Sequence, residues 1–228
     1  MLQPPSKFRA FGPRRLLAAC LVAAALSGCA SAPPPAPKGQ PQRVEISSVP
    51  FYRGEANHSG AMALAAVLSQ QGAPITPGLL DKSLGLPQAA ESLDTGIPRV
   101  AREYGMVVYP LDNHLDALLT QVAAGYPVLV RYQEGSAWWS ETRYAVLIGY
   151  DRYKQRVLLR SGMHRRQLMG FDDFASAWGK QGSWAVLVQS PRQLPAQVDR
   201  QRWLQAADEL ARSGQEIAAK QAVNSLGH

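Results

Sequence analysis

The stretch VPFYRGEANHSGAMALAAVL, residues 49–68, decides how this chain folds. Its first half, Phe51 to His58, is a polar loop. From Ser59 to Gln71 the sequence is almost entirely apolar, with Met62, Leu64, Val67 and Leu68 set among alanines, and it stops at Gly72. A helix that is apolar on most of its sides cannot face water and has to lie buried inside a domain. Ser59 stands at its start, where a serine oxygen serves best as an N-cap for the first unpaired amide groups.

Working outward, Val44-Glu45-Ile46 reads as a strand ahead of the loop. Beyond Gly72, Thr76-Pro77 reads as an N-cap with proline at the first helical position, which predicts a short helix over Pro77 to Leu84. Further helices are expected from Gly96 to Tyr104 and from Asn113 to Ala124. Segments 106–110, 127–132, 143–150, 155–161, 165–169 and 183–189 are rich in Val, Leu and Tyr and are punctuated by Gly or Asp, as strands are. Asp151 to Gln155 reads as a hairpin turn, and Asp172 as the cap of a helix carrying Phe174 and Trp178. Helices come first and a mostly antiparallel sheet follows, which is the α+β class.

Past Pro191 and Pro195 the pattern changes. Trp203, Ala207, Leu210 and Ala211 recur at helical spacing, Ser213-Gly214 interrupts, and a second alanine-rich helix runs to about Ser225. The pair, 196–228, resembles one truncated tetratricopeptide unit. Such units need about three repeats to bury their faces, so this helical hairpin has to rest on the main domain or on a partner.

The N-terminus has a different logic. Lys7, Arg9, Arg14 and Arg15 precede an apolar run from Leu16 to Gly28 that is too short to span about 30 Å of hydrocarbon. It is normal for the h-region of a signal peptide, so 1–28 is read as one. The run ends in Leu26-Ser27-Gly28-Cys29, which resembles the lipobox of bacterial lipoproteins and marks Cys29 for lipidation. Acyl chains at roughly 0.8 kcal/mol per buried methylene make a membrane anchor there. Ala30 follows, not the Asp that resembles an inner-membrane retention signal, so the periplasmic face of the outer membrane is the expected location. Residues 30–42 (ASAPPPAPKGQPQ) hold five prolines and read as a semi-extended tether. The main domain then occupies 43–195.

Removing the four leader cations lowers the net charge from +7 to +3, too little for a nucleic-acid-binding face. Of the two cysteines, Cys20 leaves with the signal peptide and Cys29 takes lipid, so the folded body holds no thiol. The histidines lack metal-ligand spacing, and there is no glycine-rich phosphate loop. No cofactor and no metal are expected.

Two blocks, residues 49–68 and RYAVLIGYDRYKQRVLLRSG (143–162), together with FDDFASAW (171–178) and GSWAVLV (182–188), resemble the papain-like C39 cysteine peptidases. The nearest likeness is to their bacterial lipoprotein branch, often called PA2778-type, in which a lipobox, a C39-like domain and C-terminal tetratricopeptide helices occur together. The resemblance covers roughly 44–195. It implies a papain-like domain with an antiparallel sheet and a central buried helix. It also implies four catalytic roles: a cysteine at the helix start, a glutamine five positions earlier for the oxyanion hole, a histidine base opening a strand, and an orienting residue on the next strand.

Those four positions here read Ser59, Gly54, Arg143 and Ser161, with Gly60 kept and Ala61 in place of the usual proline. A serine hydroxyl needs a base within hydrogen-bond reach, and a guanidinium keeps its proton at every physiological pH. Losing the base of a triad costs on the order of 10⁴–10⁶ in turnover. His58 neighbours Ser59 but points elsewhere, and His114 and His164 are distant in sequence. A domain that keeps its cleft and binds a peptide or envelope protein without cutting it is therefore the expected function. Ser59, Trp138, Trp139 and Arg143 are its candidate contacts. Degenerate C39-like domains of some secretion transporters resemble such recognition modules. Arg143 suits either a ligand carboxylate or an internal pair with Glu55 or Glu141. Arg152, Lys154, Arg156, Arg160, His164, Arg165 and Arg166 form a basic face, solvated or in contact with anionic lipid. The alternatives are an active peptidase or acyl hydrolase using Ser59, and a purely structural envelope lipoprotein.

Overall fold

β4 (Ser140–Asp151) is the spine of the molecule: Arg143 to Tyr150, eight residues in a row, are all buried. Unbroken burial means that both faces of the strand are covered, so its sequence shows an apolar run and no alternation. The computed structural model describes residues 39–135 and 138–227. The expected signal peptide, Cys29 and most of the tether lie outside those residues. Among the described ones, no helix is long and apolar enough to cross a membrane.

Among the described residues the sheet has seven strands, with β1 (Arg43–Glu45), β2 (Val107–Pro110), β3 (Val128–Gly135), β5 (Arg156–Ser161), β6 (His164–Gly170) and β7 (Ala185–Gln189) beside β4. The order is β2-β7-β3-β4-β5-β6, and β1 pairs with the far end of β4. Every pairing is antiparallel, as the α+β reading expects. A bulge between Leu147 and Gly149 shifts the register of β4 against β5. At Gly149 a Cβ would come 2.5 Å from the Val44 carbonyl, so the close approach of β1 requires glycine there.

α1 (Ser59–Gln70) is the buried helix that the sequence requires, with its first ten residues out of solvent. Gly72, at φ +86°, ends it: Gly72 N–H donates to Ser69 O and Ala73 N–H to Leu68 O, at 3.1 and 3.0 Å. These two bonds satisfy carbonyls that the helix end leaves unpaired. α2 (Pro77–Leu84) and α3 (Leu93–Glu103) pack against α1. α3 starts earlier than its sequence suggests. Gly96 and Pro98 are poor helix formers, but burial of Leu93, Ile97, Val100 and Ala101 along one stripe outweighs them.

α4 (Leu115–Ala123) is capped by His114, whose Nδ1 accepts the Ala117 amide at 3.2 Å. α5 (Phe171–Gly179) starts after Gly170, so Asp172 is not its cap. Asp172 and Asp173 both fall in the first turn, where the helix dipole favours carboxylates.

α6 (Arg200–Arg212) and α7 (Glu216–Asn224) form the C-terminal hairpin. It rests on the main sheet. Trp203 is fully buried, lies 6.1 Å from the Tyr109 ring and donates its Nε1–H to Ala222 O at 2.7 Å. Arg102 pairs with Glu209, and Arg202 with Asp112 at 2.7 Å. The hairpin lies along β2, the strand at one end of the sheet, and so covers an edge that would otherwise present unpaired backbone.

Candidate functional site

The fold brings Gly54, Ser59, Arg143 and Ser161 to one place, though they lie far apart in sequence. Gly54 N–H donates to Gly162 O at 3.3 Å, which ties the loop before α1 to the end of β5. Ser59 reaches β4 through the Tyr144 amide, next to Arg143. Arg143 in turn lies over Gly162, where a Cβ would be 2.7 Å from Nη1. Gly162, at φ +54°, thus serves both the turn and the guanidinium.

Ser59 is not an N-cap. A 3-10 turn, Ala56–His58, precedes the helix and makes His58 the cap position, without a side-chain bond. The Ser59 hydroxyl donates back to Ala56 O at 2.6 Å and accepts the Tyr144 N–H at 3.0 Å. It is 1% exposed. Its one proton goes to a carbonyl, which is no base. His58 Nδ1 instead meets Asp81 Oδ1 at 3.1 Å, His114 caps α4, and His164 is exposed on β6.

Arg143 is buried and paired within the protein. Glu141 is one partner, as expected; Glu55 is not, and Glu134 is the second. Register explains the clamp. Tyr132 opposes Arg143 and Glu134 opposes Glu141 across β3 and β4, so strand alternation sets all four side chains on one face. The Tyr132 hydroxyl lies 2.9 Å from Ser161 Oγ and 3.2 Å from Gln167 Oε1, and Gln167 Nε2 donates to Glu134 at 3.2 Å. Burial pushes the Tyr132 phenol up to about 12, and the Ser161 hydrogen bond works against that rise. Sequence reasoning missed Glu134 and Tyr132. The available signal was their two-residue spacing, mirrored by Glu141 and Arg143 across the hairpin.

Little room remains over the serine. The cavity bounded by Ser59, Met62, Tyr144, Arg160 and Gly162 measures about 10 Å³, room for one water at most. Met62 fills the space above Gly54, where a Cβ would lie 2.6 Å from its sulfur. A larger cleft of about 540 Å³ opens beside it, between Asn57 and Glu91 on one side and Arg131, Glu141, Thr142 and Tyr144 on the other. That size suits a ligand. Arg131 pairs with Asp94 at 3.4 Å along its wall. Trp138 and Trp139, at the β3–β4 tip, are 98% and 57% exposed.

Two residues expected on the basic face are buried. Arg152 pairs with Asp116 at 2.9 Å, and Arg160 donates to Arg165 O at 3.0 Å. No cluster of three or more metal-ligating side chains occurs among the described residues.

No family model matches the chain, and no curated protein does. Solved structures match in fold. A Bacillus anthracis protein described as a C39-like peptidase is 16% identical, with a TM-score of 0.50 over 64% of this chain and 96% of that one. The peptidase domain of Streptococcus ComA, a bifunctional ABC transporter involved in a quorum-sensing pathway, is 18% identical, with a TM-score of 0.49 over 62% of this chain and 98% of that one. With its mixed α/β architecture and antiparallel sheet, the chain has the fold of the C39-like peptidases.

Proposed function

We propose that this chain is a lipid-anchored envelope protein whose C39-like domain binds a peptide or protein partner without cleaving it. One observation carries the reading. Where a peptidase of this fold needs a nucleophile and a base, the Ser59 proton is donated to Ala56 O and Arg143 is held between Glu134 and Glu141. A permanently protonated guanidinium cannot accept a proton. The anchor is Cys29 behind Leu26-Ser27-Gly28, and the location is the periplasmic face of the outer membrane.

The partner's place is the cleft between Glu91 and Arg131, which carries both signs of charge and polar side chains suited to an extended peptide. Trp138 and Trp139 supply large aromatic contacts of the kind that dominate binding energy. Crosslinking and recovery of the tethered protein from its own envelope tests this. A specific partner recovered with the native chain and lost with Trp139→Ala supports the reading; equal recovery with both supports a structural lipoprotein instead. Mass spectrometry of the mature N-terminus, with Cys29→Ser as control, tests the anchor separately.

A further inference from the structure

Four of the exposed cations surround one hollow, three of them at the end of the sheet away from the Arg143 site. Arg43 of β1, Lys154 of the β4–β5 turn, Arg156 of β5 and Arg166 of β6 are all exposed. They ring a hollow of about 90 Å³ with Leu158 and Leu168 among its walls. Register builds it: Asp151 is flanked by Arg43 and Arg156, and Leu158 opposes Leu168. Two carboxylates, Glu45 and Asp151, also line it. Glu45 pairs with Arg166 at 2.8 Å, and Asp151 Oδ1 accepts the Lys154 backbone N–H at 2.9 Å. Among the described residues, no carboxylate lies within ion-pair distance of Arg43, Lys154 or Arg156.

A patch of cations is usually just solvated, but two further features give this one a direction. Tyr153, between Arg152 and Lys154 at the turn, is 85% exposed, and Leu168 is 55% exposed. A tyrosine beside cations is the side chain that settles at headgroup depth in a bilayer. The chain also enters the domain here. Arg43 follows Cys29 by fourteen residues, about 43 Å if the proline-rich tether is extended at ~3.1 Å per residue.

We infer that this patch docks on the anionic phosphodiester headgroups of a phospholipid bilayer. Antiparallel connectivity places the β4–β5 turn at the opposite end of the sheet from the β3–β4 and β5–β6 turns. Docking therefore turns Trp139 and the Arg143 site away from the membrane, towards a partner. That orientation rests on the proposed anchoring and binding function; headgroup binding itself does not need the lipid on Cys29.

The test is vesicle flotation of the unlipidated chain 30–228, which retains the whole compact unit of the described core. The vesicles are phosphatidylcholine alone or phosphatidylcholine mixed with phosphatidylglycerol. Binding is expected with phosphatidylglycerol only and is expected to weaken with added salt. Arg43→Ala and Arg156→Ala should each reduce it about fivefold, the equivalent of ~1 kcal/mol per cation at an anionic surface. Arg212→Ala, far along the chain on α6, should leave it unchanged, and thermal melts should show that all variants fold. Equal binding to both vesicles, or native binding by the two arginine variants, would overturn the inference. Displacement by excess soluble glycerol phosphate would also overturn it, making the hollow a small-anion site. Mass spectrometry of Cys29 reports on the anchor independently.

Discussion

The Ser59 hydroxyl is the tie between the central helix and the spine of the sheet: its oxygen accepts the Tyr144 amide N–H at 3.0 Å, at the point where β4 begins to be buried. Replacing Ser59 with alanine leaves that amide buried and unpaired. The expected loss is about 1–3 kcal/mol, read as a lower urea midpoint with an unchanged slope. A Ser59→Ala protein as stable as the native one would show that the hydroxyl holds nothing together.

Arg143 separates two carboxylates that face each other across a hairpin, Glu134 and Glu141. Breaking a buried pair costs roughly 3–5 kcal/mol; since the Glu134 and Glu141 side chains are 25% and 29% exposed, about 2–3 kcal/mol is expected for Arg143→Ala after solvent screening. Adding Glu134→Gln and Glu141→Gln should recover part of it. A triple variant no more stable than Arg143→Ala alone would argue against the clamp.

Gly162 has a positive φ and carries the Arg143 guanidinium above its Cα. Gly162→Ala should destabilise by about 1–2 kcal/mol for the left-handed backbone alone, and more because Arg143 must move. Gly179→Ala, where a Cβ would meet nothing within 4 Å, is the neutral comparison in thermal melts.

These energetic relationships mark the limits of sequence reading. α1 was legible because an alanine-rich run with a glycine stop has few other places to go. The antiparallel sheet was legible from runs such as 143–150. The clamp was not. It depends on β3 continuing past Tyr132 to Gly135, and only that extension sets Glu134 opposite Glu141. The role of Ser59 as a tie was equally hidden, because a 3-10 turn moved the cap back to His58. Arg152 and Arg160 looked like surface cations from composition. Their burial follows from tertiary packing around Tyr150 and β6, which no local pattern encodes.

Alkaline pH offers an independent probe of the Tyr132 network. Burial raises its phenol to about 12 in the folded protein, against about 10 in an unfolded chain. The neutral phenol is therefore favoured by folding. That stability is fully present below about pH 10 and is lost as pH rises towards 12. Burial also raises Tyr144 and Tyr150, so Tyr132→Phe should soften the alkaline fall without abolishing it. Denaturation curves across this range check the point; an unchanged fall in Tyr132→Phe would dissociate the phenol from it.

Under the proposed function, no group at this site takes the proton from Ser59. Intact-mass analysis after exposure to a fluorophosphonate tests it most directly. No adduct at position 59 is predicted. An adduct on the native chain that disappears in Ser59→Ala would show that Ser59 is an activated nucleophile.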